Sequence, residues 1–290
     1  MKSALASSDI EITLENSFIE KYKDRATIDV AFTVDKSNQR PHPAFLDGDV
    51  HIAGRVPQIG LPIVAEIKNA AHEPDVVGLI RRAAGNEEPL RLVGAWRLWP
   101  EHVGKAPEVQ GDYVAPEAFT NPDHVFEIHP VTRVDDKSLL DSLHPVHGYS
   151  PGRANTVFRS LQAIKCRIVP TEATTTIVTA KGQFNDVEFL LEIAEEGQVA
   201  EDGSFVNAAV LDLKGNQLAE RVRMVFLRDT PPARAVSNLR RGDRLHAFGL
   251  PRIDLSTVSW RARNSKDNPE LLNQSLPYEI LVVGVYTDRS

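Results

Sequence analysis

The sequence predicts a mainly β protein of two tandem five-stranded barrels, each strung β-β-β-α-β-β, with an extra β-hairpin at their junction. Three observations predict it. Over residues 26–134, five stretches alternate apolar and polar side chains, and a stretch of helical spacing follows the third. From residue 185 the same order of textures returns without residue-by-residue repetition, so it reads as a structural duplication. At 290 residues and 42% hydrophobic content, the chain can supply a core to each of two ordinary domains.

In the first unit RATIDVAFTVD is the opening strand, and PAFLDGDVHIAGR and GLPIVAEIKNA are its successors. EPDVVGLIRRAAG is the helix, and PLRLVGAWRLWP and DHVFEIHPVTRV are the closing strands. This order resembles the OB-fold, a Greek-key barrel whose helix lies between strands three and four. The resemblance implies a ligand groove flanked by the connections after strands one and four. Here those connections are KSNQRPHPAFLDG and PEHVGKAPEVQGDYVAPEAFTNPD, the second too long and proline-rich for a simple turn.

The expected organisation is an N-terminal extension over 1–25, a first barrel over 26–134, a linker over 135–155 and a second barrel with additional strands over 156–290. IEITL in the extension reads as a short strand without an assigned partner. TVFRSLQAIKCRIV and ATTTIVTAKG read as the junction strands. DVEFLLEIAE, SFVNAAVLDL and QLAERVRMVFL then open the second barrel, with KGN as a tight hairpin turn. TPPARAVSNLRR reads as its helix, with Thr230 as N-cap and Pro231 in the first helical position, and GDRLHAFGLPRIDLSTVSWR and LPYEILVVGVYTD close it.

The net charge of −7 is uneven: residues 1–149 hold 15 Lys and Arg against 23 Asp and Glu, and residues 150–290 hold 18 against 17. Such acidity argues against tight non-specific duplex binding, which is built from phosphate neutralisation. No stretch approaches the roughly 18 consecutive apolar residues of a membrane helix, and the first residues lack the apolar core of a secretory signal. A cytoplasmic location without a membrane partner is expected. The single cysteine, Cys166, excludes an internal disulfide framework, and its apolar setting predicts a buried structural thiol. GxSxG, HExxH, GxGxxG and GxxxxGK[ST] are all absent, so the serine-hydrolase, zincin, Rossmann and P-loop readings lack their local signatures.

Two constellations remain. Side chains two apart share a strand face, so Asp49 pairs with His51, and Glu127 with His129. With strand three between strands two and five, Glu66 falls between those pairs. Asp49, His51, Glu66, Glu127 and His129 would then form one wall with the donor types for a divalent metal such as Zn, Mn or Fe and for acid-base catalysis, Asp49, His51, Glu127 and His129 being the candidate metal ligands. A DGDxH strand followed by a later E-[IL]-H-P-V strand also resembles small OB-like bacterial domains of unassigned function. That resemblance covers about ninety residues and implies a shared fold more than a shared activity.

The second constellation is Arg221, Arg223, Arg240, Arg241, Arg244, Arg252, Arg261 and Arg263, with Trp260 among them, in a segment of ten arginines and no lysine. Arg221 and Arg223 share one strand face, and Arg261 and Arg263 another. Arginine suits planar recognition of phosphates and stacked bases. The acidic connection holding Glu195, Glu196, Glu201 and Asp202 would line one edge of that groove, and pairing of the arginines with the first domain's carboxylates is the structural alternative. Trp96 is expected in the first core, Trp99 to be freer, and HPVHG to offer His144 and His147 as a weak metal pair.

The leading functional expectation is binding without turnover, of single-stranded nucleic acid through the second barrel and the long loops, with no cofactor. The alternatives are a metal-dependent hydrolase or nuclease using the Asp49/His51/Glu66/Glu127/His129 wall, and an assembly component docking onto a protein partner. Whether the chain is an enzyme is left open by the sequence.

Overall fold

Residues 9–104, 106–195 and 197–286 are described here from a computed structural model. β1 (Ile10–Glu15) and α1 (Asn16–Tyr22) lead into β2 (Thr27–Ser37), β3 (Val50–Arg55), β4 (Ile63–Ile67), α2 (Pro74–Ala83), β5 (Leu90–Leu98), the two-residue β6 (Glu108–Val109) and β7 (Phe126–Val134). β8 (Lys137–Ser138) and α3 (Ala154–Ala163) precede β9 (Lys165–Pro170) and β10 (Thr174–Thr179). Then follow β11 (Val187–Ile193), β12 (Gln198–Val199), β13 (Gly203–Leu211), β14 (Gln217–Leu227), α4 (Pro231–Val236), β15 (Arg244–Ile253), α5 (Leu255–Asn264), β16 (Asn273–Ser275) and β17 (Tyr278–Val285).

Two closed five-stranded barrels result. In the first, β2 pairs antiparallel with β3 and β5, β3 with β4, and β5 with β7. Parallel pairing of β4 with β7 closes the ring. In the second, β11 pairs with β13 and β15, β13 with β14 and β15 with β17, and parallel β14 and β17 close it. Each barrel carries its helix between its third and fourth strands, which is the OB-like order.

The alternation builds the walls. Ile28, Val30, Phe32 and Val34 of β2 point into the first core while Asp29 and Ala31 face water. α2 begins on Pro74, which needs no hydrogen-bonded N–H there, and carries Asp75 in its first turn. Its Val76, Val77, Ile80 and Ala83 form one buried stripe. In the second barrel Thr230 caps α4 by accepting from the Ala233 amide.

Three segments depart from the expected reading. Residues 43–49, expected to start the second strand, are a loop, because Pro41 and Pro43 deny amides to a ladder. Residues 154–163 are helical: Ala154, Val157, Phe158 and Leu161 recur at helical spacing and are all buried. Residues 255–264, expected as strand, form α5 once Asp254 caps it by accepting from the Thr257 amide. Arg261 and Arg263 therefore lie on a helix.

A third, open sheet has the order β16-β9-β10-β1-β6. β9 and β10 are the junction hairpin, and β1 finds its antiparallel partner in β10. Among the described residues no helix is long and apolar enough to cross a membrane.

The barrels pack wall against wall. Phe205, Val225, Leu227, Phe248, Leu250, Leu281 and Val283, on the outside of the second barrel, form one apolar cluster with Ala26, Ala95 and Leu143 of the first half. Arg252 crosses this seam fully buried, bonded to Glu279 and donating to the carbonyls of Arg25, Ala26 and Trp96.

Candidate functional site

Because core positions of β3, β4 and β7 are Val50, Ile52, Ala65, Ile67 and Ile128, the alternate positions put His51, Glu66, Glu127 and His129 on the outer wall. Asp49 precedes β3 and joins them. All five converge. His129 is the hub: its Nε2 is 3.4 Å from Asp49, and its Nδ1 is 3.2 Å from Glu66 and 3.5 Å from Glu127. His51 Nε2 is 3.6 Å from Glu66. Arg97 of β5 donates to Glu127 at 2.5 Å, and Lys68 extends the cationic side.

The outer wall is not exposed. Asp49, Glu66, Glu127 and His129 are each at most 3% accessible, since the second barrel and residues 139–149 cover them. Arg97 donates to the Pro251 carbonyl, the Lys68 ammonium lies 4.5 Å from the Phe248 ring, and Asn69 donates to the carbonyls of Ser142 and His144. Both His129 ring nitrogens lack a hydrogen-bond partner of proper geometry and are held by ion pairing.

Burial alone would lower the imidazole pKa, but the Glu66, Asp49 and Glu127 carboxylates outweigh it and push His129 up to about 10. Burial likewise opposes ionisation of Asp49 and Glu127; Lys68 and His129 hold Asp49 below its ordinary range, and Arg97, His124 and His129 hold Glu127 well below it. Asp49, Glu66 and Glu127 thus face three cations, Lys68, Arg97 and His129, and Glu101 shares Arg97 at 3.7 Å. The cluster is densely ion-paired and mostly buried, a strut rather than a reaction chamber.

His124 donates to or accepts from Glu127 and stacks on His102, whose pKa burial and the neighbouring His124 push down to about 4. Sequence spacing did not single out this pair, because His124 reaches Glu127 from just before β7. Trp96 is fully buried in the first core, and Trp99, expected to be freer, is also buried and donates to the Phe184 carbonyl. His144 and His147 are exposed, and Cys166 is buried, with burial pushing its thiol up to about 11.

The arginine series does not assemble into one surface. Arg252 and Arg223 are spent at the seam, Arg223 on Asp24, the Lys23 carbonyl and Glu279. Arg221 pairs with Glu195, and Arg244 with Glu192. Arg261 donates to the Ser275 carbonyl, and Arg263 to Ser259. Arg240 and Arg241 are exposed before β15, and Trp260 is half exposed on α5. The acidic connection serves the seam as well, with Glu201 on Arg25 and Asp202 accepting from the Thr27 amide and hydroxyl. Glu196 lies outside the described residues.

The groove-flanking loops of the first barrel present what the sequence reading did not select. Phe45 on the β2–β3 loop is 68% exposed, and Tyr113 and Phe119 on the β5–β7 loop are 85% and 70% exposed. Asn38 bonds to Thr120, and Asp35 accepts from the Glu117 amide, so the two loops touch. The β5–β7 loop is also pinned against the β3–β4 turn, where a side chain on Gly60 would strike Gly111 at 2.6 Å.

Fold and site together define a tandem OB-like barrel protein. No family model matches the chain, and no curated protein sequence is similar to it. Among solved structures, the single-stranded DNA binding protein from Thermus aquaticus is matched in two crystal structures, of a deletion mutant and of the wild type. A deletion mutant is 8% identical, with 91% of this chain and 93% of that one covered at a TM-score of 0.24. The wild type is 9% identical over 91% and 92%, at 0.23. Overlaps of that size carry no weight for fold or ligand, which rest on the strand pairing and side chains above.

Proposed function

We propose that the chain is a non-catalytic binding protein that takes single-stranded nucleic acid on its first barrel. The observation that carries this is the trio Phe45, Tyr113 and Phe119, left in water on the β2–β3 and β5–β7 loops. Each base stacked on such a ring contributes roughly 1–3 kcal/mol with little regard to sequence. The groove walls of both barrels are covered where they meet, Phe205, Val225 and Leu227 of the second by the first and Glu66 and Glu127 of the first by the second, so the exposed rings on the first barrel's loops are the contact surface.

Electrostatics support stacking as the main term. Lys36 at the end of β2 and Arg40 on the β2–β3 loop are exposed, while Glu108, Asp112, Glu117 and Asp123 make the other loop acidic. Affinity then depends on ring faces more than on phosphate neutralisation. The metal-dependent hydrolase reading is disfavoured because four of its five residues, Asp49, Glu66, Glu127 and His129, are buried beneath the second barrel and the linker.

Anisotropy of a labelled oligothymidylate at low salt tests the proposal. Binding that weakens by about tenfold or more, the loss of one or two stacked bases, in Phe45→Ala with Phe119→Ala supports it. Equal binding by that variant, or no binding by the parent, removes it; a protein partner retained through the same rings would establish the assembly role instead.

A further inference from the structure

We propose that His42, Asp47 and His51 form a divalent transition-metal site at the solvent side of the buried cluster. It does not depend on the nucleic-acid reading. One ligand atom from each of the three lies within 4.8 Å of the other two. His42 Nδ1 is 2.9 Å from Asp47 Oδ1, and the His42 and His51 rings meet edge to face with centroids 4.5 Å apart. Donors about 2.1 Å from a tetrahedral ion stand roughly 3.4 Å apart, so small side-chain rotations complete the set.

The loop is built to hold these groups. Pro41 and Pro43 restrict the backbone beside His42, the His42 amide donates to the Asp49 carbonyl, and the Asp49 amide donates to Asp47 Oδ1. Gly48 supplies the positive φ of 75° that turns the chain between the two aspartates. On the other side, the His51 amide donates to Asn38 Oδ1.

Charge decides between this site and the buried one. Asp49, Glu66 and Glu127 are already paired with Lys68, Arg97 and His129 and are buried, so an ion added there would compete with three cations. Asp47 has neither lysine nor arginine within ion-pairing distance among the described residues, only His42. His42, Asp47 and His51 are partly accessible, which leaves a fourth position to water or ligand. Two imidazoles and one carboxylate with an open position is a donor set for zinc or cobalt rather than calcium or magnesium.

The test uses the full chain, stripped with chelator and titrated with cobalt(II) at neutral pH while visible absorption is followed, then back-titrated with zinc. The expected result is saturation at one equivalent, with affinity lowered at least about tenfold in His42→Ala with Asp47→Asn, comparable to or beyond the loss when a ligand's supporting group is removed. Far-UV circular dichroism checks that this loop variant keeps the parent fold. Absence of saturable uptake overturns the proposal. So does uptake that the double variant leaves unchanged, and uptake abolished by His129→Gln but not by the double variant would move the ion to the buried cluster.

Discussion

The Arg252 guanidinium lies 3.6 Å from the centroid of the Trp96 ring and donates to the Trp96 carbonyl at 2.9 Å, so one side chain of the second barrel reads both the ring and the backbone of the first. Its charge is met by Glu279 at 2.6 Å. Replacing Arg252 by Ala strands a buried carboxylate, and chemical denaturation should show a loss of about 3–5 kcal/mol. Arg252→Lys should recover little of it, since an ammonium cannot span Glu279 and three carbonyls in one plane.

His129 makes stability depend on alkaline pH. Its folded pKa, raised from 6.5 to about 10, means that its contribution is complete below pH 6.5 and is lost as pH rises toward 10. Urea midpoints of the parent should fall across that window. In His129→Gln the protein should be less stable at pH 6, and this part of the decline should vanish.

Salt should weaken oligonucleotide binding only gently. With Lys36 at the end of β2 and Arg40 on the β2–β3 loop as the exposed cations, the slope of log affinity against log salt should be about −1 to −2, near 0.7 per neutralised phosphate on a single strand. Arg240→Ala with Arg244→Ala should leave both affinity and slope unchanged. A steep slope abolished by that pair would return the binding surface to the second barrel.

Thr230→Ala removes the side chain that caps α4 and should cost about 1 kcal/mol in thermal or urea unfolding, with no change at the first barrel's loops.

Strand faces were legible where alternation was strict. DVHIAGR and FEIHPV named their inner and outer residues correctly, and with them the convergence of Asp49, His51, Glu66, Glu127 and His129. Local alternation carries no information on what lies outside a wall, so burial of that cluster by Phe248 and Pro251 was not readable. The same limit hid the fate of Arg223 and Arg252. α5 was missed because LSTVSW is rich in β-branched and aromatic residues, and only the Asp254 cap and the tertiary seat of Leu255 and Val258 decide for helix. His42 and Asp47 escaped notice because their partnership with His51 depends on a loop closing through Asn38, a contact no spacing rule encodes.

The open sheet drawn from residues 10–15, 108–109, 165–170, 174–179 and 273–275 stitches together stretches from nearly the whole length of the polypeptide. One of its edge strands, residues 273–275, follows four of the five strands of the second barrel in the chain. Synthesis can therefore complete the leading barrel early, but the fabric that ties it to its neighbour waits for most of the second barrel, and neither half can be cut free without leaving a torn edge.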